Sequence, residues 1–306
     1  MKVAKNVQEL IGNTPIVEIS GIPIPNQCRI FAKLEYFNPG GSVKDRLGME
    51  LLADAIARGE LKPGGTIIEP TAGNTGIGLA LAAVGRGYRV MFVVPEKFSV
   101  EKQTLMRALG AEVVNTPTAE GMKGAIAKAE ELVREIDGAF SPAQFGNPAN
   151  PDTYYKTMGP EIWRDLDGQV DIFVAGAGTG GTFMGNARYL KDQNPDVKTV
   201  IVEPEGSTIN GGEAGPHRTE GIGMEFLPDY MDRAYFDAVH TVYDTNAFYW
   251  VKELAAKEGL LVGSSAGAAF YAALKEAETA KEGSHIVTIF ADSSERYLSQ
   301  NIYKGD

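Results

Sequence analysis

The sequence predicts an α/β protein of two lobes, each a mainly parallel sheet covered by helices. Three observations predict it. Short apolar, β-branched runs alternate with Ala- and Leu-rich helical stretches over most of the chain. The strand-like runs are continuously apolar rather than alternating, as expected of strands buried on both faces. A polar, Pro-containing stretch, Gly146 to Asp152, separates two such series in a chain of 306 residues, which is long for one ordinary hydrophobic core.

The elements follow in order. Thr66 to Glu69 reads as a short strand, and Thr75 to Val84, rich in Ala and Leu, as a helix. Arg89 to Val94 is a strand stopped by Pro95. Ser99 caps a helix over Val100 to Leu109, and Gly110 is placed to end it. Glu112 to Asn115 is the next strand and Met122 to Glu135 the next helix. Beyond the boundary stretch, Asp171 to Ala175, Thr199 to Val202 and Ile286 to Phe290 read as buried strands. Helices are expected over Thr182 to Lys191, Ala247 to Lys257 and Ala268 to Ala280. Ligands of such sheets sit at the carboxyl ends of strands, so glycine-rich segments at those ends draw attention.

Bulk composition narrows the function class. A net charge of −11 repels phosphate backbones and disfavours nucleic acid. The single cysteine, Cys28, has no internal partner, and His217, His240 and His285 lack metal-ligand spacing. Met1 to Leu10 lacks the apolar core of a signal peptide, and no apolar run approaches a membrane span. The expectation is a cytoplasmic enzyme or small-molecule binder with no metal and no membrane partner.

Four segments carry chemistry. In Asn38-Pro39-Gly40-Gly41-Ser42-Val43-Lys44-Asp45-Arg46, Ser42 and Asp45 have capping-box spacing, which starts a helix and puts Lys44 in its first turn. The positive helix end and Arg46 favour a neutral amine, able to attack an aldehyde. On this segment alone, a capped helix with Lys44 turned to water is the commoner outcome. Glu69-Pro70-Thr71-Ala72-Gly73-Asn74-Thr75-Gly76-Ile77-Gly78 follows a strand and opens a helix. Such a helix start takes a carboxylate or phosphate, or is merely a tight turn that needs glycine.

The third segment, Gly176-Ala177-Gly178-Thr179-Gly180-Gly181-Thr182, has the composition of a phosphate cradle. Gly176, Gly178 and Gly181 also match the dinucleotide fingerprint, with Glu203 where a ribose-binding acid would stand. Taken alone this loop predicts NAD, and an NAD-dependent oxidoreductase is the rival in another enzyme class. In Val262-Gly263-Ser264-Ser265-Ala266-Gly267-Ala268, a serine either hydrogen-bonds a ligand or, as Ser265, caps a helix.

Together, and with Ile11-Gly12-Asn13-Thr14-Pro15 and Gln144-Phe145-Gly146-Asn147-Pro148-Ala149-Asn150-Pro151, these ordered segments resemble the cysteine synthase and cystathionine β-synthase family of fold-type II pyridoxal-phosphate enzymes. The resemblance covers nearly the whole chain. Gly-Asn-Thr-Gly separates it from serine and threonine dehydratases, which resemble Gly-Asn-His there. It implies a smaller mobile domain over 36–145, a larger cofactor-binding domain over 1–35 and 146–306, an active site in the cleft between them, and a homodimer.

The resemblance also implies roles. Lys44 forms the imine with pyridoxal phosphate and then moves the α-proton. Asn74 meets the cofactor's ring hydroxyl, Gly178, Thr179, Gly180, Gly181 and Thr182 its phosphate, and Ser265 its pyridine nitrogen. Thr71, Ala72, Gly73, Asn74, Thr75 and Gln144 grip the substrate. Gly221-Ile222-Gly223 helps close the site. A neutral serine at the ring nitrogen leaves the ring a weaker electron sink, which suits loss of a β-leaving group.

Within the family, Ala72 stands where cysteine synthases carry serine and Glu220 where they carry glutamine. Asp292-Ser293 and Glu203-Pro204-Glu205-Gly206-Ser207 resemble bacterial O-acetylserine-dependent cystathionine β-synthases. The expected reaction is therefore replacement of the acetoxy group of O-acetyl-L-serine by homocysteine, with cysteine synthase, using sulfide, as the alternative. Homocysteine brings its own ammonium, for which Glu220 is the leading acceptor and Glu225 and Asp292 weaker ones.

Overall fold

In the computed structural model residues 3–71, 73–97 and 99–304 are described, and the chain divides into two compact units. One holds Asn38–Asn150 with the N-terminal stretch up to Ile11, and the other holds Gly12–Phe37 with the chain from Pro151 onward.

The chain starts its regular structure in the second unit with β1 (Ile16–Glu18) and β2 (Arg29–Leu34), paired antiparallel with Val17 opposite Ala32. It then builds the first unit from α1 (Lys44–Ala57), β3 (Thr66–Pro70), α2 (Asn74–Ala83), β4 (Arg89–Pro95), α3 (Val100–Ala108), β5 (Glu112–Thr116), α4 (Gly121–Glu135) and β6 (Ala139–Phe140). The strands form one parallel sheet in the order β5-β4-β3-β6, with Ile68 opposite Met91 and Val93 opposite Val114. Successive strand residues face opposite sides. Ile68, Met91 and Val93 meet Ala125 and Ala129 of α4 on one face, while Ile67, Phe92 and Val94 are buried as well. Burial on both faces explains the unbroken apolar run in β4. Ser99 caps α3 as expected, its hydroxyl accepting the Lys102 N–H at 3.2 Å.

The second unit continues through α5 (Ala149–Lys156), α6 (Met158–Asp165), β7 (Ile172–Gly176), α7 (Gly181–Gln193), β8 (Lys198–Pro204), β9 (Ala238–Val242), α8 (Asp244–Glu258), α9 (Ser264–Thr279) and β10 (His285–Phe290). Its six-stranded sheet runs β1-β2-β10-β7-β8-β9, parallel except for the β1–β2 pair. Alanines keep α9 slim enough to lie on the sheet. Ala266, Ala272, Ala273 and Phe270 share a core with Ile30, Ala32, Val174, Val200 and Ile286. Order reverses at β7, whose neighbours are β8 on one side and β10 on the other. The carboxyl end of β7 is thus a topological switch point, where ligands of doubly wound sheets bind.

The structure departs from expectation in several places. β1, β2, β6, β9, α5 and α6 go beyond the elements expected from the sequence, and α5 begins inside the stretch read as an irregular boundary. β2 hides because Lys33 interrupts its apolar run. That lysine is fully buried, 2.9 Å from Glu161 and 2.7 Å from the Thr14 carbonyl oxygen. The capping box at Ser42 and Asp45 is not formed. Ser42 Oγ accepts the Lys44 N–H at 3.2 Å, and Asp45 reaches back to the Gly40 N–H instead. Among the described residues no helix is long and apolar enough to cross a membrane.

Candidate active site

In the first unit Lys44 is the opening residue of α1. The loop before it is tied down on both sides, because Asn38 Nδ2 donates to the Ser42 carbonyl at 3.2 Å and the Asp45 carboxylate holds Gly40. α1 rests directly on α2. A Cβ added at Gly78 would overlap the Lys44 carbonyl oxygen, and one added at Gly48 would overlap the Gly78 backbone. The first turn of α1 therefore touches α2 backbone to backbone. Asn74 and Thr75 open α2, so glycine–glycine packing fixes their height relative to Lys44. In the run Gly73 to Gly78, then, Gly76 and Gly78 serve packing rather than anion binding, since an added Cβ at Gly76 would strike Met106 and Thr71.

Beside α2 lies a set of buried donors. Thr71 and Thr75 are buried, and the Gly73 N–H reaches Thr71 Oγ1 at 3.4 Å. Thr75 Oγ1 donates to Gln144 Oε1 at 2.8 Å, which turns the amide NH2 of Gln144 to its other partners. The Gln144 carbonyl accepts from Asn150 Nδ2 at 2.9 Å. Beneath this group lies Glu69, 1% exposed, with Ser141 Oγ and the Ala143 N–H at 3.2 Å and the Gln144 N–H at 3.4 Å. The sequence assigns Glu69 no role beyond ending a strand and opening the glycine-rich segment. A charged residue inside an apolar strand, immediately before a glycine-rich turn, was the available signal. Ala72 lies outside the described residues.

In the second unit the loop after β7 forms a cradle with no room for a side chain at Gly176, Gly178 or Gly180. Gly180 has φ +85°, a left-handed conformation suited to glycine, and a Cβ there would strike Met231. A Cβ at Gly178 would overlap the Gly221 carbonyl, and one at Gly176 would meet Ile222. Thr179 and Thr182 are buried, and α7 starts at Gly181, so its N–H groups face the loop. Gly221-Ile222-Gly223 packs on the cradle, with the Gly223 N–H donating to the Ala177 carbonyl at 2.8 Å. Tyr230 closes the contact, its hydroxyl donating to the Thr179 carbonyl at 2.7 Å.

Ser265 lies in the first turn of α9 and is 7% exposed. The helix cap is Gly263, so the alternative in which Ser265 caps the helix is overturned. Ser264 Oγ instead accepts the Glu220 N–H at 3.0 Å, joining α9 to the segment before Gly221. The Glu220 carboxylate receives Gln300 Nε2 at 2.5 Å, a partner that sequence gave no reason to expect. Asp292 is 2% exposed, accepts the Tyr297 hydroxyl, and backs Gly263. Burial, then the charge of Asp292, push the Tyr297 phenol well above its usual range. Asp292 is thus a buried support of the α9 start rather than an acid open to an incoming ammonium, whereas Glu225 is exposed. His217 Nδ1 pairs with the Thr219 carbonyl at 2.8 Å and Arg218 lies over Phe248. Asp244, unremarked in the sequence, holds this segment through the Arg218 and Thr219 N–H groups.

The dinucleotide alternative fails at Glu203. That residue is 1% exposed, and its carboxylate accepts the Ile209 N–H at 2.9 Å, the Asn210 N–H at 3.2 Å and Thr241 Oγ1 at 2.8 Å. Its oxygens are taken by the loop after β8 and by Thr241 of β9, so this acid is not turned toward a ribose. Among the described residues no cluster of His, Cys, Asp and Glu is arranged to hold a metal ion. In the second unit, a loop that has no space for a Cβ at Gly176, Gly178 or Gly180, at a helix start, with a buried hydroxyl at Ser265, fits a phosphorylated cofactor; in the first unit, a lysine at a helix N-terminus fits an aldehyde.

A sequence profile of pyridoxal-phosphate dependent enzymes matches residues 7–292. The chain is 59% identical to the O-acetylserine dependent cystathionine β-synthase of Bacillus subtilis, over 100% of this chain and 99% of that one. It is 53% identical to a cysteine synthase of Helicobacter pylori, over 99% and 100%. Its fold superposes with a TM-score of 0.95 on the crystal structure of an O-acetylserine dependent cystathionine β-synthase from Helicobacter pylori, 53% identical, covering 99% of this chain and 100% of that one.

Proposed function

The chain belongs to the family of pyridoxal-phosphate dependent enzymes, and from that premise we propose that it replaces the acetoxy group of O-acetyl-L-serine with the thiol of homocysteine, giving cystathionine. The observation that carries the reading is the cradle at Gly178 to Thr182, where added Cβ atoms at Gly178 and Gly180 would collide and two buried threonines adjoin a helix start. Such a site suits an anion of phosphate kind.

Pyridoxal phosphate, when bound, supplies the aldehyde and the electron-withdrawing ring that labilise the α-proton and the β-substituent of an amino acid. The protein does the rest. Gly178, Thr179, Gly180, Gly181 and Thr182 hold the phosphate, Ser265 donates to the ring nitrogen, and Asn74 meets the ring hydroxyl. Lys44 supplies the amine, takes the proton from the α-carbon and later returns it. Thr71, Gly73, Thr75 and Gln144, with Ala72, hold the substrate carboxylate. Gly221 to Gly223 shield the reacting centre from water. Glu220 receives the ammonium of homocysteine, a group that sulfide lacks. The reading includes a homodimer working in the cytoplasm, the first of which sedimentation checks.

The test is the visible absorption of the purified holoenzyme. O-acetylserine should shift the band, and homocysteine should restore it. Restoration by sulfide alone would assign the cysteine synthase reaction instead. Absence of any visible band after incubation with pyridoxal phosphate would remove the proposal.

A further inference from the structure

We propose that Glu69 is a positioning residue for the substrate carboxylate: its carboxylate fixes the backbone of residues 141–144 and, through it, the amide of Gln144. The inference rests on the reading that Gln144 and Thr75 hold that carboxylate.

Glu69 sits on β3, 1% exposed. Among the described residues all its partners are neutral donors: the Ser141 hydroxyl and the Ala143 N–H at 3.2 Å, and the Gln144 N–H at 3.4 Å. Two of the three, the Ala143 and Gln144 N–H groups, can only donate, one to each carboxylate oxygen, so the contacts suit the ionised carboxylate. The two consecutive N–H groups make an anion nest, here filled by the protein's own side chain. Forming it requires Ala143 at φ +51°, a left-handed conformation unusual for a side-chain-bearing residue. Such a backbone persists only where neighbours hold it. The next link is Gln144, whose Oε1 accepts from Thr75 at 2.8 Å. The chain of contacts therefore runs from Glu69 through the strained turn to the amide at α2.

Burial pushes the Glu69 carboxyl up to about 7, against the three donors, which lower it. No charged side chain from β4, β6 or α4, the elements packed most closely on β3, contributes to that balance. As pH falls through about 7 the carboxylate gains a proton, the nest loses its anion, and the turn is released.

The experiment uses holoenzyme with O-acetylserine and saturating thiol, and follows KM and kcat from pH 6 to pH 8.5. In the native protein KM should rise toward about tenfold per unit below the Glu69 transition, with kcat much less affected. Glu69→Gln should raise KM about tenfold or more at pH 8, abolish its pH dependence, and lower kcat by less than about threefold. A native KM at pH 8, or an unchanged KM profile, overturns the proposal. Ser141→Ala removes one donor and should move the KM transition to higher pH; should Glu69→Gln not fold, an unmoved transition in Ser141→Ala overturns it. Gln144→Ala separates the two levels. If it raises KM while Glu69→Gln does not, the role of Glu69 fails alone. If Gln144→Ala leaves KM unchanged, the carboxylate site itself is misassigned and the Glu69 role falls with it.

Discussion

Glu69 works against the stability of the fold that uses it. Its carboxyl has an ordinary value of 4.5 and rises to about 7 in the folded protein. Between those values the folded state holds the proton more tightly than the unfolded state, so stability falls as pH rises through this window, by roughly 3 kcal/mol in all. Thermal unfolding of the native protein compared with Glu69→Gln should show it: the native protein should lose ground to the variant between pH 5 and pH 8. A difference that stays constant with pH would mean that the carboxyl is not perturbed. Glu220 sits differently. It is partly exposed and takes the Gln300 amide at 2.5 Å, so Gln300 aims its carboxylate. A charged hydrogen bond to an ammonium is worth about 1.5–3 kcal/mol. Glu220→Gln should therefore cut kcat/KM for homocysteine about ten- to hundredfold and leave sulfide turnover intact. Equal losses with both thiols would take Glu220 out of thiol selection.

At the level of elements, the contact between α1 and α2 governs where the reactive lysine stands. Gly78→Ala would drive a methyl into the Lys44 carbonyl oxygen, and overpacking of this kind costs about 1–3 kcal/mol or more. The variant should melt at lower temperature and hold pyridoxal phosphate poorly, read as lost visible absorbance. Gly73→Ala is the comparison, since an added Cβ there meets no atom within 4 Å and should leave the melting temperature in place. Equal melting of the two variants would dismiss the packing role. The sequence announced α2 to within a residue of each end, because Gly73 and the Ala- and Leu-rich run after Asn74 are local signals. It did not disclose what Gly76 and Gly78 do, because their neighbours, Met106 and Lys44, lie elsewhere in the chain. Lys33 concealed β2 in the same way, its charge making sense only beside Glu161. Glu203 misled for the opposite reason: its spacing matched a known fingerprint, while the loop that consumes its carboxylate gave no warning.

For the whole molecule, the two units carry unequal optical labels. The protein has 2 tryptophans, Trp163 and Trp250, and both belong to the second unit. Fluorescence therefore reports on that unit, while far-ultraviolet dichroism reports on helices and strands of both. Chains with separately cored units need not unfold in one step. Denaturant titration should give different midpoints for the two signals, and coincident transitions would show that the units unfold as one. At this scale the alternation of strands and helices was plain in the residues. The grouping of the N-terminal segment with the later chain came from the family resemblance and from no local pattern, because it depends on β2 meeting β10.

That pairing sets a timetable for the newborn chain. Arg29 and His285, which face each other across β2 and β10, are 256 residues apart. A ribosome adding about 5–20 residues per second delivers the second strand on the order of ten to fifty seconds after the first. For that interval β2, with Ile30, Phe31 and Ala32 destined for burial, waits with its long-term neighbour unmade. The stretch Asn38–Asn150 can meanwhile complete its own sheet. The order of translation thus makes β2, the second strand to be made, among the last to gain both of its neighbours.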